Sequence, residues 1–187
     1  MSTGTPITAD WVPPGIDREL VAKIPGWFEP PSGLPEISRV FGAISVQYRD
    51  GKPSIWPRNW EMSHMMLARE LPGLPRNGRL YVHRQVEPIL RDALTEWVSL
   101  GIDYPILTFG CFAPRAKKTN PEEISLHSLG IAHDVNYATN PLVAAGAALV
   151  TDLPQELVAC FTRRGYLWGG SFHRRKDAMH LQYAKGY

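Results

Sequence analysis

The sequence predicts an α+β fold: a small, largely antiparallel sheet with helices packed against it. Three observations lead there. Helical patterns lead in the first half of the 187-residue chain and strand-like runs dominate the second, without regular βαβ alternation. The 17 prolines and 16 glycines exceed what a helical bundle carries and imply many turns between short elements. A content of 44% hydrophobic and 20% charged residues is that of a folded globular chain.

The elements follow in chain order. Residues 1–35 are proline-rich, with Trp11, Trp27 and Phe28 reading as exposed aromatics and one short helical stretch over Asp17–Ile24. Pro13, Pro14, Pro25, Pro30, Pro31 and Pro35 forbid long regular elements there, so this stretch reads as an extended arm over the core. Asp50–Asn59, with Gly51, Pro53 and Pro57, reads as a loop, and Trp60–Glu70 as a weakly patterned helix. The clearest helix runs from Arg84 to Leu100. Val86, Ile89, Leu90, Ala93, Leu94, Trp97 and Val98 recur on one face, and Gly101 follows as the stop. A second helix spans Pro154–Arg164, with Asp152 as its cap, Leu157, Val158 and Phe161 inward, and Gly165 as its stop. Strands are expected at Tyr104–Phe109, Gly130–Val135, Tyr166–Trp168 and Met179–Tyr183. The organisation expected is an N-terminal arm and irregular region over 1–60, followed by the functional unit over 61–187.

Composition excludes several function classes. A net charge of +2 is too small to make nucleic-acid binding the default. Two cysteines cannot build a disulfide framework or an all-cysteine zinc site. No run of about 18 apolar residues is present, so no transmembrane helix is expected. The N-terminal residues have neither a basic start nor an apolar core, so no secretory signal is read and synthesis in the cytoplasm is expected. Glycine-rich phosphate loops, G-x-S-x-G elbows and H-E-x-x-H helices are all missing.

Two segments carry chemistry. The first runs from Ser125 through His127, Gly130, Ala132, His133 and Asp134 to Asn136. Strand alternation puts Asp134 on the face of Ala132 and Asn136 and turns His133 to the other face. Gly130 lets the chain turn and bring the His127 imidazole back towards Asp134. The second runs from Trp168-Gly169-Gly170 through His173 and Asp177 to His180 and Gln182. Imidazoles and a carboxylate from separate parts of a chain are what zinc takes as ligands, and a catalytic zinc keeps three protein ligands and a place for water. His127, Asp134 and His180 supply such a set, and Asp177 is the nearby carboxylate that takes the water's proton. The competing reading makes His127 and His180 partly buried histidines bonded to the backbone, and Asp134 and Asp177 turn or capping residues.

Together these segments resemble the M15 family of zinc peptidases, which cut peptidoglycan peptides. The pattern S-x-H-x-x-G-x-A-x-D is matched at Ser125, His127, Gly130, Ala132 and Asp134. The closing pattern, W-G-G followed by an acidic residue two positions before M/P-H-[hydrophobic]-Q, is matched at Trp168, Gly169, Gly170, Asp177, Met179, His180, Leu181 and Gln182. The resemblance covers residues 80–187. It implies a Hedgehog/DD-peptidase-like fold, one Zn2+ held by His127, Asp134 and His180, and Asp177 as general base or acid. It also implies an upstream arginine that holds substrate oxygen. Arg115 stands at that place, although the family's glycine-tyrosine-arginine context is not kept. Ser125 is implied as a contact either of the ligands or of the substrate, while Trp168 reads either as a wall of the substrate cleft or as a packing residue.

The implied substrate is the stem peptide of bacterial peptidoglycan. Asp177 in place of glutamate, the W-G-G block and the unread signal resemble the L-alanyl-D-glutamate endopeptidases of bacteriophage endolysins. Such a protein reaches the wall after release, for instance through a holin lesion, and is expected to be a monomer. The alternatives are a D-alanyl-D-alanine carboxypeptidase of the same fold and a non-catalytic, zinc-stabilised wall-binding module. A delivered bacterial effector also fits the unread signal. Among the remaining residues, His173 reads as a surface residue, and His64 and His83 as structural or solvated. Cys111 reads as a small core residue. The cations from Arg163 to Lys185 read either as a solvated face or as an attraction for anionic wall carboxylates.

Overall fold

In a computed structural model, residues 3–117, 120 and 123–186 are described. Helices and small antiparallel sheets are mixed, as an α+β fold requires. Among the described residues the strands are β1 (Ser45–Arg49), β2 (Lys52–Trp56), β3 (Met65–Ala68), β4 (Leu80–His83), β5 (Phe109–Gly110), β6 (Ala132–Val135), β7 (Leu167–Trp168) and β8 (His180–Gln182). They form hairpins β1–β2 and β3–β4 and a four-stranded sheet in the order β5-β6-β8-β7. Every pair is antiparallel.

The long helix is observed over Glu87–Ser99, with Ile89, Leu90, Ala93, Leu94 and Trp97 buried, as its period predicts. Val98 departs from that expectation and is half exposed, because the buried stripe is narrower than the apolar run suggests. Gly101 follows with φ +62°, the left-handed stop that glycine takes without strain. The second helix, Gln155–Thr162, buries Leu157, Val158 and Phe161 and packs against the long helix. Asp152 does not cap it. Its Oδ1 accepts instead from the Tyr104 hydroxyl at 2.7 Å and from Asn140 Nδ2 at 2.8 Å.

Three further expectations are corrected. Asp50–Asn59 is not a plain loop, because β1 and β2 form a hairpin whose turn is Asp50-Gly51, both with positive φ. An Asp-Gly pair is the ordinary signal for such a turn. Trp60–Glu70 divides into a short helix, Trp60–His64, and strand β3. Of Tyr104–Phe109 only the last residue is strand, since Asn136 Oδ1 takes the Leu107 and Thr108 amides and replaces ladder bonds there.

The N-terminal segment is tied down at several points. Asp17 caps helix Arg18–Val21 through the amides of Glu19 and Leu20, within the stretch read as helical. A further helix, Gly33–Phe41, buries Ile37 and Phe41. Trp11, Trp27 and Phe28 are half-buried rather than exposed. Trp11 meets the edge of Trp168 at 5.9 Å, and Trp27 Nε1 donates to Arg164 O at 2.9 Å. The Tyr183 hydroxyl donates to Phe28 O. No helix among the described residues is long and apolar enough to cross a membrane.

Candidate metal centre

The sheet register places the centre. Asp134 on β6 is the direct cross-strand partner of His180 on β8, so the two side chains share a face. The neighbouring pair, His133 and Leu181, must face the other way, and both are buried. His133 packs against Phe109 and contacts the Tyr166 hydroxyl at 3.2 Å. Burial, reinforced by the nearby His127 and His180, pushes its pKa down to about 3, so it stays neutral.

His127 arrives by a different route. Leu126–Leu129 is one turn of 3-10 helix, with Ser125 at its N-cap accepting the His127 amide. Gly130 ends it at φ +64°, and its carbonyl accepts the His83 amide at 3.0 Å. At this positive φ a Cβ on Gly130 would lie 2.9 Å from the His83 backbone nitrogen, so glycine lets this turn seat against β4. The turn brings His127 Nε2 to 3.2 Å from Asp134 Oδ1, while His180 Nδ1 lies 3.1 Å from the same oxygen. One ligand atom from each of the three residues falls within 4.8 Å of the others.

The second ring nitrogens decide what this triad can hold. His127 Nδ1 lies 2.6 Å from Cys111 O, an acceptor only, so that nitrogen carries the proton and Nε2 presents a lone pair. His180 Nε2 lies 3.1 Å from Gln182 Oε1, whose amide nitrogen is committed to Ala184 O. Neutral His180 therefore presents a lone pair from Nδ1. Two imidazole lone pairs and a carboxylate oxygen thus converge, which is favourable only with a proton or a cation between them. His127 Nε2 is buried without a hydrogen bond, an atom left for such a partner. The donor set, two nitrogens and one carboxylate oxygen, fits zinc. Burial works against the Asp134 charge, but His127 and His180 outweigh it and hold the carboxyl well below its usual range. Burial likewise opposes charging of His180, and Asp134 overcomes it, so the His180 pKa is raised.

A cavity of about 1440 Å³ opens over this triad. Arg115, Ser125, Trp168 and Asp177 also line it, so the three candidate ligands and these four residues reach one space. Asp177 is positioned through its backbone: its amide donates to Gly169 O at 2.9 Å, and its carbonyl accepts the His180 amide at 3.1 Å. Its charge contributes to the raised His180 pKa. A Cβ on Gly169 would stand 2.4 Å from Asp177 O, so the glycine permits this close approach. Trp168 is buried, donating from Nε1 to Ala178 O at 2.7 Å, and its ring fills the space beside Gly170. The Arg115 backbone is clamped by Ser128 Oγ, which accepts its amide and donates to its carbonyl, both at 2.9 Å. Burial keeps the Cys111 thiol protonated far above its ordinary range, in line with a core role.

Sequence reasoning missed one part of the cavity wall. Val12, Pro13, Pro14, Gly15 and Ile16 of the N-terminal arm line it, and no local pattern in that segment signals the contact.

Residues 118–183 match the model of a peptidase family described as D-alanyl-D-alanine carboxypeptidase, which bears out the M15 resemblance. The match takes in His127, Asp134, Asp177 and His180. No curated protein and no solved structure matches the chain.

Proposed function

We propose that this protein is a zinc-dependent peptidase of bacterial peptidoglycan stem peptides, and that it cuts the L-alanyl-D-glutamate bond as an endolysin does. The observation that carries the reading is the convergence of His127, Asp134 and His180 on one point at the floor of a peptide-sized cavity, with Asp177 beside it. We assign the zinc to those three residues and the catalytic unit to residues 61–187, with 1–60 as the arm and its adjoining segments. The protein would act as a monomer, made in the cytoplasm and reaching the wall after release.

When bound, zinc would supply Lewis acidity and a water acidified towards neutrality. Asp134 holds its negative charge in the burial of the site, and His127 is kept in the required tautomer by Cys111 O. Asp177 takes the proton of the attacking water and delivers it to the leaving amine nitrogen. Arg115 grips the substrate carbonyl or carboxylate oxygen with a permanent charge, while Ser125 and Trp168 bound the substrate.

A second reading, a D-alanyl-D-alanine carboxypeptidase, is favoured by the description of the matched family. A wall-binding module without catalysis fits less well. A structural zinc site is closed by four protein ligands, whereas here three side chains converge beneath an open cavity.

Digestion of purified sacculi, with and without a zinc chelator, tests the proposal by mass spectrometry of the products. New D-glutamate amino termini that vanish on chelation are expected. Released D-alanine would replace the scissile bond with that of the carboxypeptidase. Sacculi left intact by zinc-loaded protein would overturn the peptidase reading.

A further inference from the structure

The cavity wall carries six lysine and arginine side chains among the described residues, and they are not alike. Arg18 and Lys185 are both held by Glu29 at 2.8 Å, and Lys117 by Glu123 at 2.5 Å. Arg163 and Arg164, which the sequence groups with the same basic run, are engaged elsewhere by Glu96 and Asp92 of the long helix. That leaves Arg115, Arg174 and Arg175, for which no carboxylate among the described residues lies within ion-pair distance. Arg115 already has a place in the proposed mechanism. Arg174 and Arg175 have none.

Their loop is fastened on both sides. Arg175 Nε donates to Val143 O at 3.2 Å, and Val143 N donates to Lys176 O at 3.0 Å. Lys176 Nζ donates to Gly170 O at 3.3 Å, and Asp177 N to Gly169 O at 2.9 Å. Arg174 is three residues before Asp177, which limits their backbone separation to about 10 Å. Arg174 and Arg175 thus both line the cavity within a few residues of Asp177 and His180, with Arg175 anchored at Val143 O. A guanidinium matches a carboxylate through two parallel N–H donors, and two cations lining one cavity favour an anion there.

We propose that Arg174 and Arg175 form a second anion subsite, which selects peptides carrying a free carboxylate in addition to the group at the scissile bond. The proposal rests on the peptidase reading for its substrate, but not for its binding test. Within a stem peptide, the D-glutamate α-carboxylate is a group of this chemistry.

The test uses the zinc-loaded full chain and two synthetic stem peptides that differ only in carrying this carboxylate or its carboxamide. Binding is measured by calorimetry and cleavage by mass spectrometry. The wild-type protein should bind the carboxylate peptide about 2- to 5-fold more tightly, the range of a partly exposed charge pair. The gap should narrow as salt is raised. R174Q/R175Q should abolish the gap, acting on KM rather than kcat. R174Q alone should reduce it, guarding against a loop disturbed by loss of the Arg175–Val143 bond. R49Q/R58Q, which removes two exposed cations outside the cavity, should leave it unchanged. Equal binding of the two peptides by the wild type, binding of neither, or a gap that survives in R174Q/R175Q overturns the subsite. Discrimination without cleavage supports the subsite and counts against the proposed activity. Cleavage without discrimination does the reverse.

Discussion

Among the described residues, two pairs of imidazoles lie at nearly the same separation, and a carboxylate lies between the rings of one of them. His127 and His180 are 5.2 Å apart between ring centres, with Asp134 Oδ1 within 3.2 Å of a nitrogen on each. His64 and His83 are 5.7 Å apart and are enclosed by Trp60 and Phe41. In the first pair Asp134 overcomes the burial of His180 and raises its pKa. In the second, burial pushes His83 down to about 4, helped by His64, and no acid answers it. Imidazole spacing alone therefore does not make a metal site. The charge placed between the rings distinguishes a pair that could hold a cation from a core pair.

The largest effects should come from breaking the first pair. H180A should lose zinc and cleavage together, with metal content read by elemental analysis. D177A should lose cleavage by about 10²- to 10⁴-fold while retaining zinc, since under the proposed mechanism it removes only the proton carrier. An active D177A protein would remove Asp177 from the mechanism.

The second pair should announce itself in stability rather than activity. In the unfolded chain His83 titrates near 6.5, and in the fold near 4, so the unfolded state takes up the proton first as pH falls. The contribution of neutral His83 is complete above pH 6.5 and is lost as pH falls towards 4, by about 3 kcal/mol. Urea unfolding of the metal-free protein at pH 7 and 4.5 should show this loss. H83L should lack most of it and keep its zinc affinity unchanged.

The smallest effect should come from G169A. Its Cβ would stand 2.4 Å from Asp177 O and 3.1 Å from His180 Cβ, so the backbone there must shift. A small displacement of Asp177 should lower cleavage about tenfold with little change in zinc content. Unchanged turnover would mean that the position of Asp177 is less critical than its charge.

Much of this arrangement was legible in the chain itself. The 3.6-residue period located the long helix, and the two-residue period separated His133 from Asp134 before any contact was known. Two ordered motif blocks named the triad and Asp177. The misreadings have local causes. The prolines of Asp50–Asn59 masked a hairpin that Asp50-Gly51 signals, and Pro53 is tolerated in a two-stranded ribbon because each strand there is an edge. Asp152 looked like a helix cap but was claimed by Tyr104 and Asn140, partners distant in sequence or hidden in a loop.

The sequence by itself thus determined which residues are candidates for the chemistry and which face of β6 His133 and Asp134 take, because such properties depend on neighbours a few positions away. Tertiary structure alone decided three other matters. It set the register that opposes Asp134 to His180 across 46 residues, and it brought Val12–Ile16 of the arm to the cavity. It also sorted a run of cations: Glu96, Asp92 and Glu29 neutralise Arg163, Arg164 and Lys185, while Arg174 and Arg175 are left facing the cavity. Charge is written in the sequence, but its partner is fixed by distance in space, which chain order does not encode.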